Sequence, residues 1–205
     1  PVLLADALPS RAECKPGRPH PCSRWRGVAV DEETGTIMRP PGLGIDSGGI
    51  AKGLLADLIA DDLGGQPAFA IDCCGDIRIG GSGRRARRVL VDDPFGGAPI
   101  HELKLRQGAV ATSGIGRRCW IGPDGAAAHH ILDPSSGEPA FTGIVQATAL
   151  APSALLAEAY AKAALLSGPE GAAEWLPHGG IVVRDSGEVD LLDGDRPLAE
   201  IAAAA

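Results

Sequence analysis

An α+β or α/β sandwich with mixed sheets is the fold that this chain predicts. Three observations carry it: short apolar runs at strand period cut by glycine, two stretches with apolar residues at helical spacing, and the alternation of the two kinds along the chain. With 205 residues, 44% of them apolar, the chain is long enough to bury a full core as one domain or as two closely joined lobes. Only 3% are aromatic, so Ala, Leu, Val and Ile must build that core.

The elements follow in order. Residues 9–24 hold four prolines, two cysteines and Gly17 and read as an irregular segment, residues 1–24 standing apart from a domain over 25–205. Residues 27–31 and 36–39 alternate around Glu32-Glu33-Thr34-Gly35, which predicts a hairpin. After Gly48-Gly49, Ile50, Leu54, Leu55, Leu58 and Ile59 recur at helical spacing up to Gly64-Gly65. Strands are expected at 68–72, 77–79, 89–91, 108–111 and 144–150. A long Ala/Leu helix runs from Ser153, a plausible N-cap, to Gly168. A short helix at 170–176 and a hairpin of 180–183 with 189–192 complete the chain, which shows no internal repeat.

A net charge of −7 argues against nucleic acid as a partner, since phosphate backbones demand clustered cation. The one basic run, Arg84-Arg85-Ala86-Arg87-Arg88, reads as a solvated Gly-rich loop in preference to a phosphate patch. Arg greatly outnumbers Lys, which occurs only at 15, 52, 104 and 162, and Ala, Gly and Pro are abundant, the coding bias of a GC-rich bacterium. Five cysteines without metal-ligand spacing read as packed thiols in a reducing compartment. No apolar run reaches the ~18 residues of a membrane span. The reading leans cytoplasmic, or extracytoplasmic and membrane-attached if a lipoprotein leader precedes Pro1.

Four segments carry chemistry. In His129-His130-Ile131-Leu132-Asp133-Pro134-Ser135-Ser136-Gly137, an imidazole precedes a turn and is partly basic at neutral pH, as proton abstraction requires; an ordinary surface histidine before an Asp-Pro turn is the competing reading. Asp46-Ser47-Gly48-Gly49-Ile50-Ala51-Lys52-Gly53 puts paired glycines at a helix start, where unpaired N–H groups suit a phosphate, or makes only a tight turn. Cys74-Gly75-Asp76-Ile77-Arg78 offers Asp76 as a ligand contact or a turn hydrogen bond. Ala109-Val110-Ala111-Thr112-Ser113-Gly114 offers hydroxyls to a phosphate or to the turn.

In order and approximate spacing these four segments resemble the motifs of the ApbE family of FAD:protein FMN transferases: Asp-x-Gly-Gly-Ile-Ala-Lys-Gly, Gly-Gly-Asp-Ile, Ala-Thr-Ser-Gly and His-x-Ile-Asp-Pro-x-x-Gly. The resemblance runs from about residue 25 onward, and it implies a family member that lacks the N-terminal part. It implies an α+β flavin transferase fold with mixed β-sheets, packed helices and a cleft between two lobes. It implies FAD as substrate and a flavoprotein with a Thr or Ser acceptor as partner. By the same resemblance Asp46, Gly48, Gly49, Lys52, Asp76, Thr112, Ser113 and Leu132 contact the FAD, and the Gly49 carbonyl reaches a magnesium ion.

Two departures stand out. Cys74 replaces the first glycine of Gly-Gly-Asp, which is tolerable if that position does not need positive φ. In the long helix the family's Ala-Asp-x-x-x-Thr, whose side chains complete the magnesium site, reads Ala157-Glu158-Ala159-Tyr160-Ala161-Lys162. Glu158 and Lys162 share a helix face; a solvated salt bridge is the plain reading, but the apolar neighbours predict a largely buried helix. Magnesium takes oxygen ligands and lysine offers none, so Glu158 as a metal ligand and Lys162 as a phosphate stabiliser give a site with weakened or altered metal dependence.

The leading reading is therefore a transferase that splits FAD, releases AMP and attaches FMN to a hydroxyl. His130 is the expected base, Asp133 its orienter and Lys162 a phosphate stabiliser, with His129 the alternative base. The other readings are hydrolysis of FAD to FMN and AMP, and a flavin-binding module without catalysis.

Overall fold

In a computed structural model of the protein, the structure describes Leu4, Leu8 and residues 14–83, 85–123 and 125–196. A hairpin of β1 (Ala29–Asp31) and β2 (Thr36–Met38) leads to α1 (Ala51–Asp62), then β3 (Phe69–Cys73), β4 (Asp76–Gly80), β5 (Arg87–Val91), β6 (His101–Leu105) and β7 (Gly108–Gly114). There follow β8 (Cys119–Ile121), β9 (Ala127–His129), β10 (Ile144–Ala151), α2 (Ala154–Gly171), β11 (Gly180–Arg184) and β12 (Val189–Leu192). The elements expected from periodicity are present except the short helix at 170–176, whose residues form the end of α2 and a 3-10 turn at Ala172–Trp175. β6, β8 and β9 were not expected. β6 carries charge at alternate positions and owes its strand to pairing with β5, while β8 and β9 are three residues each, too short to show a period.

The centre is a six-stranded sheet in the order β12-β11-β10-β7-β4-β3. Every pairing among the described strands is antiparallel, which corrects the expectation of mixed strand directions. The architecture is α+β. One face takes the two helices: Ala109 and Ala111 of β7 pack with Ala56 and Ala60 of α1 and Ala154 and Ala157 of α2. The other face takes the β5–β6 hairpin, where Ile79 and Val110 meet Val89 and Leu105. Strands covered on both sides must be apolar at successive positions, and seven of the eight residues of β10 are buried.

The core is built of small side chains, which permits close approach. At Gly53 in α1 a Cβ would lie 2.4 Å from the Ala154 carbonyl oxygen, so α1 crosses the start of α2 with backbone against backbone. Asp57 fastens the crossing by accepting from the Ala154 and Leu155 N–H groups at 2.8 and 2.9 Å, and Ser153 caps α2 by accepting from Leu156 N–H as expected. α2 breaks at Gly168 (φ 72°, ψ 173°), which Pro169 follows. The two helices differ in cover. Residues 151–168 are all buried or half-buried, whereas α1 turns Leu54, Leu55, Leu58 and Ile59 to solvent.

The segment before residue 25 is irregular where described, yet it docks. Lys15 and Gly17 donate main-chain hydrogen bonds to Phe141 and Leu166, and Leu4 joins the core beside Ile131 and Leu165. Arg84 of the basic run lies outside the described residues, as do 197–205; Arg87 and Arg88 begin β5, with Arg88 paired to Glu102. Cys22 and Cys74 are exposed, so packed thiols do not describe them. No helix among the described residues is long and apolar enough to cross a membrane.

Candidate functional site

The turn before α1 is built by its own residues. The Asp46 carboxylate accepts from Gly48 N–H at 2.7 Å, and the Ser47 carbonyl accepts from Ile50 and Ala51, an Asx turn that delivers the chain into the helix. Neither Gly48 nor Gly49 has positive φ. The second glycine is open to its neighbour across the site: a Cβ there would stand 3.7 Å from the Lys162 stem. Lys52 projects from the first turn of α1.

Between β3 and β4 the two turn residues Cys74 and Gly75 have φ of 56° and 93°. Both central positions of such a two-residue hairpin demand positive φ. Cys74 therefore occupies the strained position that glycine would fill without cost, which overturns the condition under which the cysteine was tolerable. The turn is braced by the Asp72 carboxylate accepting from Gly75 N–H at 2.7 Å, and it launches Asp76 at the head of β4.

Asp76 is 1% exposed and Glu158, on α2, is 2%. Above them stand two ammonium groups. Lys52 Nζ is 2.6 Å from Asp76 Oδ2 in a close ion pair, and 3.9 Å from Glu158 Oε1. Lys162 Nζ is 3.9 Å from the same Glu158 oxygen and donates to the Gly49 carbonyl at 3.3 Å. Glu158 Oε2 accepts from Gly53 N–H at 2.8 Å, leaving Oε1 buried without a hydrogen-bond donor. Burial raises the Asp76 pKa against the opposing pull of Lys52, and burial lowers that of Lys162 against the pull of Glu158. Glu158 and Lys162 are therefore not a solvated surface pair.

β7 supplies Thr112 and Ser113 beside Asp76. The Thr112 main chain holds the Asp76 pKa down against its burial, but the Thr112 hydroxyl pairs with Thr148 at 2.8 Å. Strand alternation puts Ser113, buried, on the helix face with Ala109 and Ala111, and Thr112 on the other with Val110. Of the two hydroxyls, the alternation directs only that of Ser113 toward the helices.

The two histidines separate sharply. His129 is buried, its ring edge-on to Phe141 at 4.6 Å; Nδ1 accepts from Ile131 N–H and Nε2 has no partner. Burial lowers its pKa to about 4, with the neighbouring His130 adding to the effect. It is a neutral core residue. His130 is exposed, yet partial desolvation lowers its pKa, helped by the charges of Arg118, Lys162 and Lys52; the field of the lysine pair reaches it. Asp133 does not orient it. Its Oδ1 accepts from Ser135 N–H, Ser135 Oγ–H and Arg18 N–H at 2.8 to 3.1 Å, so Asp133 holds its own turn and the docked N-terminal segment. Leu132 is half exposed and bridges to Pro139.

Reasoning from sequence missed Gly53 and Asp57, which fix how α1 meets α2, and Arg78, whose Nε lies 3.2 Å from Asp57 Oδ1. Their partners are 97 to 105 residues away or on another element, so no local spacing reveals them. The cavity lined by Leu8, Cys14, Ile115, Phe141 and Asp185 holds none of the site residues; the lysine pair faces solvent.

The family model that matches this chain, described as the ApbE family, covers residues 4–183. The chain belongs to the ApbE family. Among curated relatives, the FAD:protein FMN transferases of Treponema pallidum and Rhodobacter capsulatus are 34% and 33% identical over 70% and 67% of this chain. They are longer: the chain spans 43% and 27% of their lengths. The crystal structure of the ApbE protein from Thermotoga maritima superposes with a TM-score of 0.69 at 31% identity, over 82% of this chain and 57% of that one. The apo flavinyl transferase ApbE of Pseudomonas stutzeri shares the fold at 22% identity, with a TM-score of 0.64 over 82% of this chain and 54% of that one.

The ApbE resemblance implies magnesium at Gly49 and Glu158, and the residues themselves test that fit. Gly49 O, Glu158 Oε1 and Asp76 Oδ2 are hard oxygen donors, the last two buried without hydrogen-bond partners. The ammonium groups already stand against all three, and no group of three or more His, Cys, Asp or Glu among the described residues is placed to hold a metal. Magnesium needs octahedral oxygen at ~2.1 Å. The donor set as arranged here does not fit it.

Proposed function

We propose that this chain carries the catalytic part of an FAD:protein FMN transferase. The observation that carries the reading is the lysine pair at the start of α1, whose field also reaches His130, in a chain of the ApbE family. The diphosphate of FAD lies against Lys52 and Lys162 beside the α1 N-terminus, where the two ammonium groups and the positive end of the helix dipole balance its charge. A Thr or Ser hydroxyl of an acceptor flavoprotein attacks the phosphorus on the FMN side. The new phosphoester P–O bond forms, the P–O bond to AMP breaks, and AMP departs with the bonding electrons.

His130 accepts the hydroxyl proton. Its lowered pKa keeps it neutral at pH 7, so it is ready to act as base without prior deprotonation. Asp46, Gly48 and Gly49 shape the turn under the phosphates, Asp76 and Glu158 hold the lysines, and Ser113 and Leu132 border the ligand. No step is assigned to a metal. Hydrolysis of FAD to FMN and AMP uses the same arrangement with water as nucleophile, and a binding module without turnover is the reading that the misfit to magnesium favours.

Co-expression with a flavoprotein carrying a Thr or Ser acceptor, read by in-gel fluorescence after denaturation, tests the transfer. Covalent flavin with wild type, and its loss by about 10²- to 10⁴-fold in rate with His130→Ala, is the expected result. AMP release without protein-bound flavin identifies the hydrolase, and FAD binding without AMP the module.

A further inference from the structure

The four charged groups at the site are sorted by depth. The carboxylates of Asp76 and Glu158 are 1% and 2% exposed, while the side chains of Lys52 and Lys162 are 41% and 30% exposed. Charge sums to zero across the four, so no external ion is needed to neutralise the buried pair. What reaches solvent is positive. Two of the chain's four lysines meet here, in a protein whose net charge is −7, and both are anchored from beneath rather than free to wander: Lys52 by Asp76, Lys162 by Glu158 and the Gly49 carbonyl. Anchoring reduces the rotamer entropy that a lysine ordinarily loses on binding a ligand. Beside them α1, twelve residues long, begins after Gly48-Gly49.

Lys162 already occupies the space by the two oxygens that the resemblance assigns to magnesium. Its Nζ donates to Gly49 O at 3.3 Å and makes an ion contact with Glu158 Oε1 at 3.9 Å. A divalent ion entering there displaces Lys162, takes the zero-charge group to a surplus of one, and still lacks Asp76, which Lys52 holds.

We propose that Lys52 and Lys162 form a pre-oriented two-ammonium clamp that binds the diphosphate of a nucleotide without a divalent cation, Lys162 standing in the position of the metal. The inference rests on the reading that this site receives the diphosphate of FAD, and it adds that the chain has exchanged metal-dependent for lysine-dependent recognition. The buried carboxylates serve the clamp by holding the ammonium groups, and the anion meets the ammonium N–H groups only.

Isothermal titration of this chain with ADP, and separately with inorganic pyrophosphate, in EDTA and in excess magnesium, tests it. The clamp expects wild-type affinity in EDTA within about threefold of that in magnesium. Lys162→Met, which keeps the stem, is expected to lose about ten- to a hundredfold in EDTA, the worth of one charge-assisted hydrogen bond. Glu158→Asp with Lys162→Thr is expected to bind ADP only when magnesium is present. Should a variant fail to fold, manganese binding to nucleotide-free wild type, followed by electron paramagnetic resonance, decides independently, and none is expected.

Binding of ADP by wild type only in magnesium, manganese bound without nucleotide, or equal affinities for wild type and Lys162→Met in EDTA overturns the clamp and leaves the nucleotide site standing. Failure of both ADP and pyrophosphate to bind under either condition overturns the clamp together with the flavin dinucleotide reading.

Discussion

The charged layer at the α1–α2 crossing and the turn at 129–137 both contain buried carboxylates, and they use them in opposite ways. In the layer, Asp76 and Glu158 meet partners on other elements: Glu158 accepts from Gly53, 105 residues away, and faces Lys52 across the site. In the turn, Asp133 spends most of its hydrogen bonds on Ser135, two residues on. An aspartate whose donors are mostly local, with Arg18 N–H alone arriving from the docked N-terminal segment, stabilises a turn whether or not a ligand is present; carboxylates that face an ammonium group from another element create a field that the local chain does not need. That difference, rather than burial or residue type, separates the charged layer from the turn.

The comparison is broken most severely by removing Glu158. Glu158→Ala deprives Gly53 N–H of its acceptor and leaves two ammonium groups facing buried Asp76 alone, and a loss of about 3 kcal/mol in urea unfolding is expected, near the low end for a broken buried pair because both lysines can turn to solvent. Glu158→Gln, which retains an acceptor, is expected to lose less. Equal stability for wild type and Glu158→Ala contradicts a paired, buried layer.

On the turn side the largest effect is one of pH. The His129 pKa in the folded protein, about 4, lies below the ~6.5 of an unfolded histidine. Between these values the unfolded chain binds more protons, so this histidine's contribution is fully present above pH ~6.5, is lost as pH falls through the interval, and levels off below about 4. Its limit is about 3 kcal/mol. Unfolding free energies from pH 7 to 4 should therefore fall more steeply for wild type than for His129→Gln; parallel curves rule the buried neutral histidine out.

A smaller effect separates turn from site. Asp133→Ala should cost about 2 kcal/mol, since each of its three hydrogen bonds is worth about 1 kcal/mol net and the exposed part of the turn regains some from water, while ADP affinity stays within about twofold; a large loss of ADP affinity at unchanged stability reassigns Asp133 to the binding machinery. The smallest change sharpens the layer. Cys74→Gly relieves positive φ beside Asp76 and is expected to stabilise by up to about 1 kcal/mol, read as a raised melting temperature.

Sequence alone determined the elements whose cause is local. The α1 start after Gly48-Gly49, the Ser153 cap, the break at Gly168 and the turn at 133–137 each follow from residues within a few positions of one another, and the motif order was enough to indicate the family. Tertiary structure alone decided three things: which carboxylate serves the turn and which the site, which histidine is core and which is exposed, and that Lys162 reaches Gly49. The physical reason is that apolar burial in the long helix is periodic and visible in one dimension, whereas electrostatic pairing depends on distance in space. Here that distance was set by Gly53, where a missing side chain lets two helices touch.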